Sequence, residues 1–153
     1  MSDARRLARE AALQALYAWE IGRTPADAAV ETVLAAHYPE AQDAVRQQAA
    51  AIVEGTVSTV ADLDRLIGEH SRHWRVERLA VIDRLILRMA IWELRQASAP
   101  PRAVVLNEAI ELARRFSNED AVKFVNGVLD AVSRALDSEQ PPSRTDDPND
   151  HVE

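Results

Sequence analysis

Cysteine is absent from the 153 residues, which excludes disulfides, thiol catalysis and cysteine-ligated zinc. Glycine is scarce. Its four positions, Gly22, Gly55, Gly68 and Gly127, lie too far apart to form a phosphate-cradling loop. Aromatic residues make up only 5% of the chain. No uninterrupted apolar run approaches the roughly 18 residues that a membrane span needs. The longest apolar segment, around Ile82 to Leu94, is interrupted by Asp83, Arg84, Arg88 and Glu93. The charged N-terminus is not followed by an apolar stretch, so it does not read as a secretory signal. These absences together lead us to expect a cytoplasmic protein with no membrane association.

What is present points to helix. Apolar residues make up 47% and charged residues 28%, the profile of a globular domain with its own core. Alanine, leucine, arginine and glutamate are abundant, and all are good helix formers. Apolar periodicity predicts a first helix from about Asp3 to Trp19, with Leu7, Ala8, Ala11, Ala12, Ala15, Leu16 and Trp19 on one face. Gly22 reads as its stop. Thr24-Pro25 reads as the cap and first position of a short helix through Ala36. A long helical pattern follows from about Glu40 to His70, then a hinge-like stretch from Ser71 to Glu77 that divides two lobes.

The segment from Ile82 to Leu94 is apolar around most of its circumference, which places it at the centre of a bundle. Two further helices are predicted, Arg102 to Phe116 and about Glu119 to Leu136, joined by a capping turn. No alternating strand-like run competes. The expected fold is all-α, with about seven helices. Gly127 stands inside the last of these, where glycine costs about 1 kcal/mol against alanine. Close approach of another helix would explain it.

The net charge of −7 is uneven. Residues 137–153 hold six acids and one base, whereas the other 136 residues hold nineteen acids and seventeen bases, a net of only −2. We read residues 1–136 as one domain and 137–153 as a disordered acidic tail, solubilising rather than an RNA mimic.

Candidate chemistry is sparse. His70 and His73 lie three apart beside Glu69, but a metal site needs a third ligand in place and no H-E-x-x-H pattern occurs, so solvated histidines at a helix end are the simpler reading. No nucleophile has a marked base or oxyanion site. We expect no enzyme activity, no cofactor and no metal.

Two features ask for a ligand. Arg5, Arg6 and Arg9 stand in the first turns of the first helix, where cations oppose the helix dipole and Arg5 with Arg9 is a like-charge i,i+4 pair. Such a cluster answers to an external anion, with a nucleic-acid phosphate the leading candidate. Its simpler reading is a solvated face, in which an Arg6–Glu10 pair absorbs one charge. In the last helix Phe124 lies one position off the core face of Val125, Val128, Leu129 and Val132, placed to pack at its edge or to stack on an unpaired base. Lys123 beside it suits a phosphate.

The chain resembles the NusB family of bacterial transcription antitermination factors. The likeness lies in Arg5-Arg6-Leu7-Ala8-Arg9-Glu10 with Ala15-Leu16-Tyr17, and in Ile82-Asp83-Arg84-Leu85-Ile86-Leu87-Arg88-Met89-Ala90 with Glu93-Leu94. It continues through Pro101, Asn107-Glu108-Ala109-Ile110-Glu111-Leu112-Ala113 and Phe124-Val125-Asn126-Gly127-Val128-Leu129-Asp130. The resemblance implies two three-helix lobes around a shared core. It also implies binding to boxA RNA of ribosomal RNA leaders, jointly with the small-subunit ribosomal protein also called NusE, so that RNA polymerase resists termination.

By position, the resemblance gives Arg5, Arg6, Arg9, Asp120, Lys123 and Phe124 to RNA, and Tyr17 and Asp83 to the ribosomal protein. The loop around Asn118 departs from the family pattern. Two rival readings stand beside this one: a protein-interaction module that forms a homodimer, and the recognition domain of an RNA-modifying enzyme.

Overall fold

A computed structural model describes residues 3–71 and 76–139. Among them are seven α-helices: α1 (Asp3–Gly22), α2 (Ala26–His37), α3 (Asp43–Ser58), α4 (Val60–His70), α5 (Val81–Leu94), α6 (Arg102–Phe116) and α7 (Glu119–Glu139). A short 3-10 turn, Val76–Arg78, precedes α5. No strand occurs among the described residues. The all-α expectation therefore holds. The disorder expected of the acidic tail falls on residues 140–153, outside the described residues, while positions 137–139 continue α7. An ion pair between Asp137 and Arg102 of α6 ties down that last turn.

α5 is the axis of the molecule. It packs against α1, α3, α4, α6 and α7, and every residue from Arg84 to Ile91 is buried. Its apolar circumference matches that position, since each side faces another helix rather than water. Around it, α1, α2 and α3 pack on one another to form one lobe, and α6 and α7 form an antiparallel hairpin in the other.

The expected single helix from about Glu40 to His70 is two helices. The break falls at Thr59, with φ −120° and ψ 19°. The Thr59 hydroxyl donates to the Gly55 carbonyl at 2.7 Å, as the Ser58 hydroxyl does at 3.2 Å, so side chains satisfy the end of α3. α4 then packs chiefly on α5 and α7 and joins the second lobe. The lobes thus divide at Thr59, ahead of the stretch from Ser71 to Glu77, and α4, α6 and α7 form the second three-helix lobe against the shared α5.

Local chemistry explains two further ends. The Asn118 side-chain oxygen accepts from the Ala121 N–H at 2.8 Å, capping α7. α1 runs on past Trp19 to Gly22, and the left-handed residue that ends it is Arg23, with φ 57°.

The glycines reverse the expected pattern. At Gly127 a Cβ would meet nothing within 4 Å, so no helix approaches there. Gly55 carries the close contact: a Cβ would fall 2.1 Å from the Trp92 indole nitrogen, pressing α3 against α5. Gly127→Ala is expected to stabilise by about 0.5–1 kcal/mol through helix propensity. Gly55→Ala gains the same propensity but is expected to lose about 1–3 kcal/mol net, because the indole must shift. Urea midpoints of the two variants check this, and equal shifts of one sign would overturn it.

Candidate nucleic-acid and partner interface

The amphipathic pattern of α1 buries Ala8, Ala11, Ala12, Leu13, Ala15 and Leu16, and this sets which arginines can reach solvent. Arg5 is exposed. Arg6 keeps about half of its side chain exposed (51%) while its guanidinium grips Glu108 of α6, Nε at 3.1 Å and Nη2 at 2.9 Å. Arg9 stands apart: it is 3% exposed and donates through Nε and Nη2 to Glu93 at the end of α5, with Glu108 4.0 Å away. Its charge is engaged inside the protein.

The expected Arg6–Glu10 pair is replaced by longer-range ones. Glu10 is buried and pairs with Arg115 of α6, whose side chain is 56% exposed and lies over the Phe116 ring. The carboxylates of this face are sunk and the guanidiniums stand outward. Arg6 and Arg115 therefore present positive charge to solvent although each is paired. Contact with the Arg6 guanidinium, helped by Arg9, outweighs burial and holds the Glu108 carboxyl below its ordinary value of 4.5.

The second group of predicted residues gathers at the other end of α5. Phe124 is half-buried and lines a cleft of about 380 Å³ with Asp83, Asp120, Asn118 and Arg78. Lys123 is exposed on the adjacent turn of α7. Asp83 thus shares one cleft with Asp120 and Phe124, and one of its buried carboxylate oxygens has no hydrogen-bond partner.

The two ends are joined by α5, which runs antiparallel to α1. Arg9 of α1 meets Glu93, whereas Glu20 meets Arg84 and Arg88. Glu93 and Asp83 are ten positions apart, so the arginine face and the Phe124 cleft lie about 15 Å apart along the α5 axis.

Tyr17 lies three positions before Glu20, and Asp83 one before Arg84, so the Glu20–Arg84 pair at 2.9 Å brings the two predicted partner residues to the same end. Tyr17 is 44% exposed and Ile21, one turn on, is 50% exposed. Leu7 is exposed too, off the apolar face expected for it. Tyr17 and Ile21 lie about 40° apart around α1 and one turn apart along it, an exposed apolar pair near its C-terminal end. Ile21 was legible as the i+4 neighbour of Tyr17. The supporting roles of Glu93, Glu108 and Arg115 were not, since each partner sits at least 84 residues away in sequence.

His70 turns its Nδ1 onto the Leu66 carbonyl of its own helix at 2.9 Å, and His73 lies outside the described residues. Among the described residues no three metal-ligating side chains cluster, and no helix is long and apolar enough to cross a membrane.

Comparison with known proteins identifies the family and the fold. A model of the NusB family matches residues 6–134. The transcription antitermination protein NusB of Solibacter usitatus is 41% identical over 141 residues, covering 92% of this chain and 96% of its own length. The T. maritima NusB structure superposes with a TM-score of 0.80 at 31% identity, covering 92% of this chain and 94% of that one. A NusB solved with the antitermination factor NusE and double-stranded RNA gives a TM-score of 0.81 at 26% identity, covering 88% and 99%. The family match over residues 6–134 and the 41% identity over most of the chain, on a fold in which five of the other described helices pack on a buried α5, establish that the chain belongs to the NusB family of transcription antitermination proteins.

Proposed function

We propose that this antitermination factor binds boxA RNA of ribosomal RNA leaders together with the ribosomal protein NusE, without catalysis, within the antitermination complex of RNA polymerase. The observation that carries the reading is the arginine face: exposed guanidiniums of Arg6 and Arg115 backed by buried carboxylates, with Arg5 beside them. That is a surface for phosphates. The Phe124 cleft, about 15 Å away along α5, supplies what phosphates lack, an aromatic ring for an unpaired base beside carboxylates that accept from base amines. A single strand crossing both would meet phosphate contacts at one end and base contacts at the other, with Lys123 at the second. The relative solved with NusE and RNA supports both partners.

The Tyr17–Ile21 pair beside Asp83 fits a protein partner. A half-exposed tyrosine and isoleucine supply apolar area, and the Asp83 carboxylate at the cleft supplies negative charge. In this arrangement partner and RNA meet at the Asp83–Phe124 cleft, so partner binding enlarges the RNA surface. Arg9 acts only through the fold.

Titration of boxA-type RNA against the protein, with and without NusE, tests this. Affinity is expected to rise with the partner present. Arg5→Ala with Arg6→Ala is expected to flatten the dependence of log K on log salt by roughly 0.7 per lost contact. Phe124→Ala is expected to cost about 1–3 kcal/mol of binding at every salt concentration. An unaltered slope in the arginine variant would sink the phosphate role. A stable homodimer that binds no RNA, even with NusE, would favour the protein-interaction reading.

A further inference from the structure

We propose that the α1–α6 arginine face is also the docking surface of the chain's own acidic C-terminal segment, residues 140–153. That segment carries Asp146, Asp147, Asp150 and Glu153 against one base, Arg144. It lies beyond the stretch matched by the family model, which ends at residue 134, so the surface it meets must be read from this chain alone.

Where α7 ends decides which surface the segment meets. α7 runs antiparallel to α6, and Asp137 in its last turn pairs with Arg102 in the first turn of α6. Glu108, which holds Arg6, is six residues further along α6, about 9 Å by helical rise. The first acid of the segment, Asp146, is seven residues past Glu139 and can reach up to roughly 24 Å from it. Arg6 is therefore well within range.

The opposite end of α7, at Glu119 and Asp120, is about 30 Å from that exit, and the Phe124 cleft, about 22 Å away, is lined by Asp83 and Asp120, whose charge repels the segment. The α2–α3 surface is acidic, with Asp27, Glu31 and Glu54 along its groove, and repels the segment. The arginine face has the opposite character, because Glu10 and Glu108 are buried beneath the guanidiniums of Arg6 and Arg115. A carboxylate segment tethered this close meets those cations at a high effective concentration. What suits a phosphate there suits an aspartate. The docked segment therefore competes with RNA for one end of the site, and this competition rests on the RNA reading above whereas the docking does not.

The test keeps the full chain and removes charge only, with Asp146→Asn, Asp147→Asn and Asp150→Asn combined. In NMR spectra at low salt, the arginine Nε–Hε signals of Arg5, Arg6 and Arg115 are expected to move on this change. The amides of the α2–α3 groove are expected to stay in place. The shifts should vanish near 1 M salt, where the screening length is about 3 Å. Unmoved arginine signals, or shifts spread evenly over the protein, overturn the docking.

Affinity for boxA-type RNA is then expected to rise about three- to tenfold in the variant at low salt and to converge with the parent at high salt. Moved arginine signals with unchanged RNA affinity would leave the docking standing and remove RNA from this face. A raised affinity without moved signals would mean general charge repulsion and overturn the docking.

Discussion

Replacing Arg9 with alanine is expected to destabilise the fold by about 3–5 kcal/mol, the range for removing one member of a buried ion pair. Arg9 is 3% exposed, and its guanidinium bonds Glu93 through two nitrogens at the junction of α1 and α5. Alanine leaves the Glu93 carboxylate close-packed without that partner and opens a cavity where the side chain lay. The double change Arg9→Met with Glu93→Met removes both charges while filling the volume, and is expected to recover most of the loss. Urea denaturation of the three forms measures this. The functional half of the prediction is sharper. RNA titration of the double variant should keep the parental salt dependence, because Arg9 presents no charge to a phosphate. A slope flattened as in the Arg5 and Arg6 variant would show that Arg9 reaches RNA after all.

Arg88→Met is expected to cost a similar amount, about 3–5 kcal/mol, for a different geometric reason. Arg88 lies inside the central helix yet bonds Asp64 of α4 with two nitrogens, at 2.7 and 2.8 Å, and Glu20 of α1 at 3.1 Å. It therefore ties together elements of both lobes. Methionine fills much of the space but leaves Asp64 unpartnered there and Glu20 with Arg84 alone.

The change should also show in acid. Burial alone would raise the Glu20 carboxyl, but Arg88 and Arg84 outweigh it and hold it below the ordinary 4.5. A carboxyl depressed in the folded state contributes stability that is fully present above 4.5 and is lost as pH falls through the lower folded value. The parent should therefore lose stability steeply below pH 4.5, and Arg88→Met should lose it on a shallower slope. Parallel acid limbs would show that Arg88 contributes packing rather than charge.

Much of this molecule can be read from its residues. The apolar circumference of the Ile82–Leu94 segment reports its central place, because only a helix surrounded by others can hide that much surface. The α7 core face of Val125, Val128, Leu129 and Val132 and the start of α7 follow from spacing and from the capping chemistry around Asn118. What stayed hidden depends on distant neighbours. Apolar periodicity continues through Thr59, so nothing in the pattern marks the break that two hydroxyls on the Gly55 carbonyl accompany. Gly127 and Gly55 look equally anomalous in sequence, and only the Trp92 ring beside one of them separates their roles. The arginines behave alike. Arg5, Arg6 and Arg9 form one cluster on paper, but the burial of α1 and the carboxylates of α5 and α6 turn Arg9 inward and leave the other two at the surface.

The paired guanidinium of Arg6 has a consequence for how fast and how selectively an anion is captured. A free arginine on a helix surface samples many rotamers, and fixing it costs up to roughly 2 kcal/mol of side-chain entropy. The two hydrogen bonds to Glu108 restrict that freedom before any ligand arrives, while half of the side chain still faces water. The face is preorganised: an incoming oxyanion meets a guanidinium plane of set orientation. A lysine at this position would keep the charge but lose the fork that holds it, and with it the angular discrimination between a well-placed phosphate and a passing counterion.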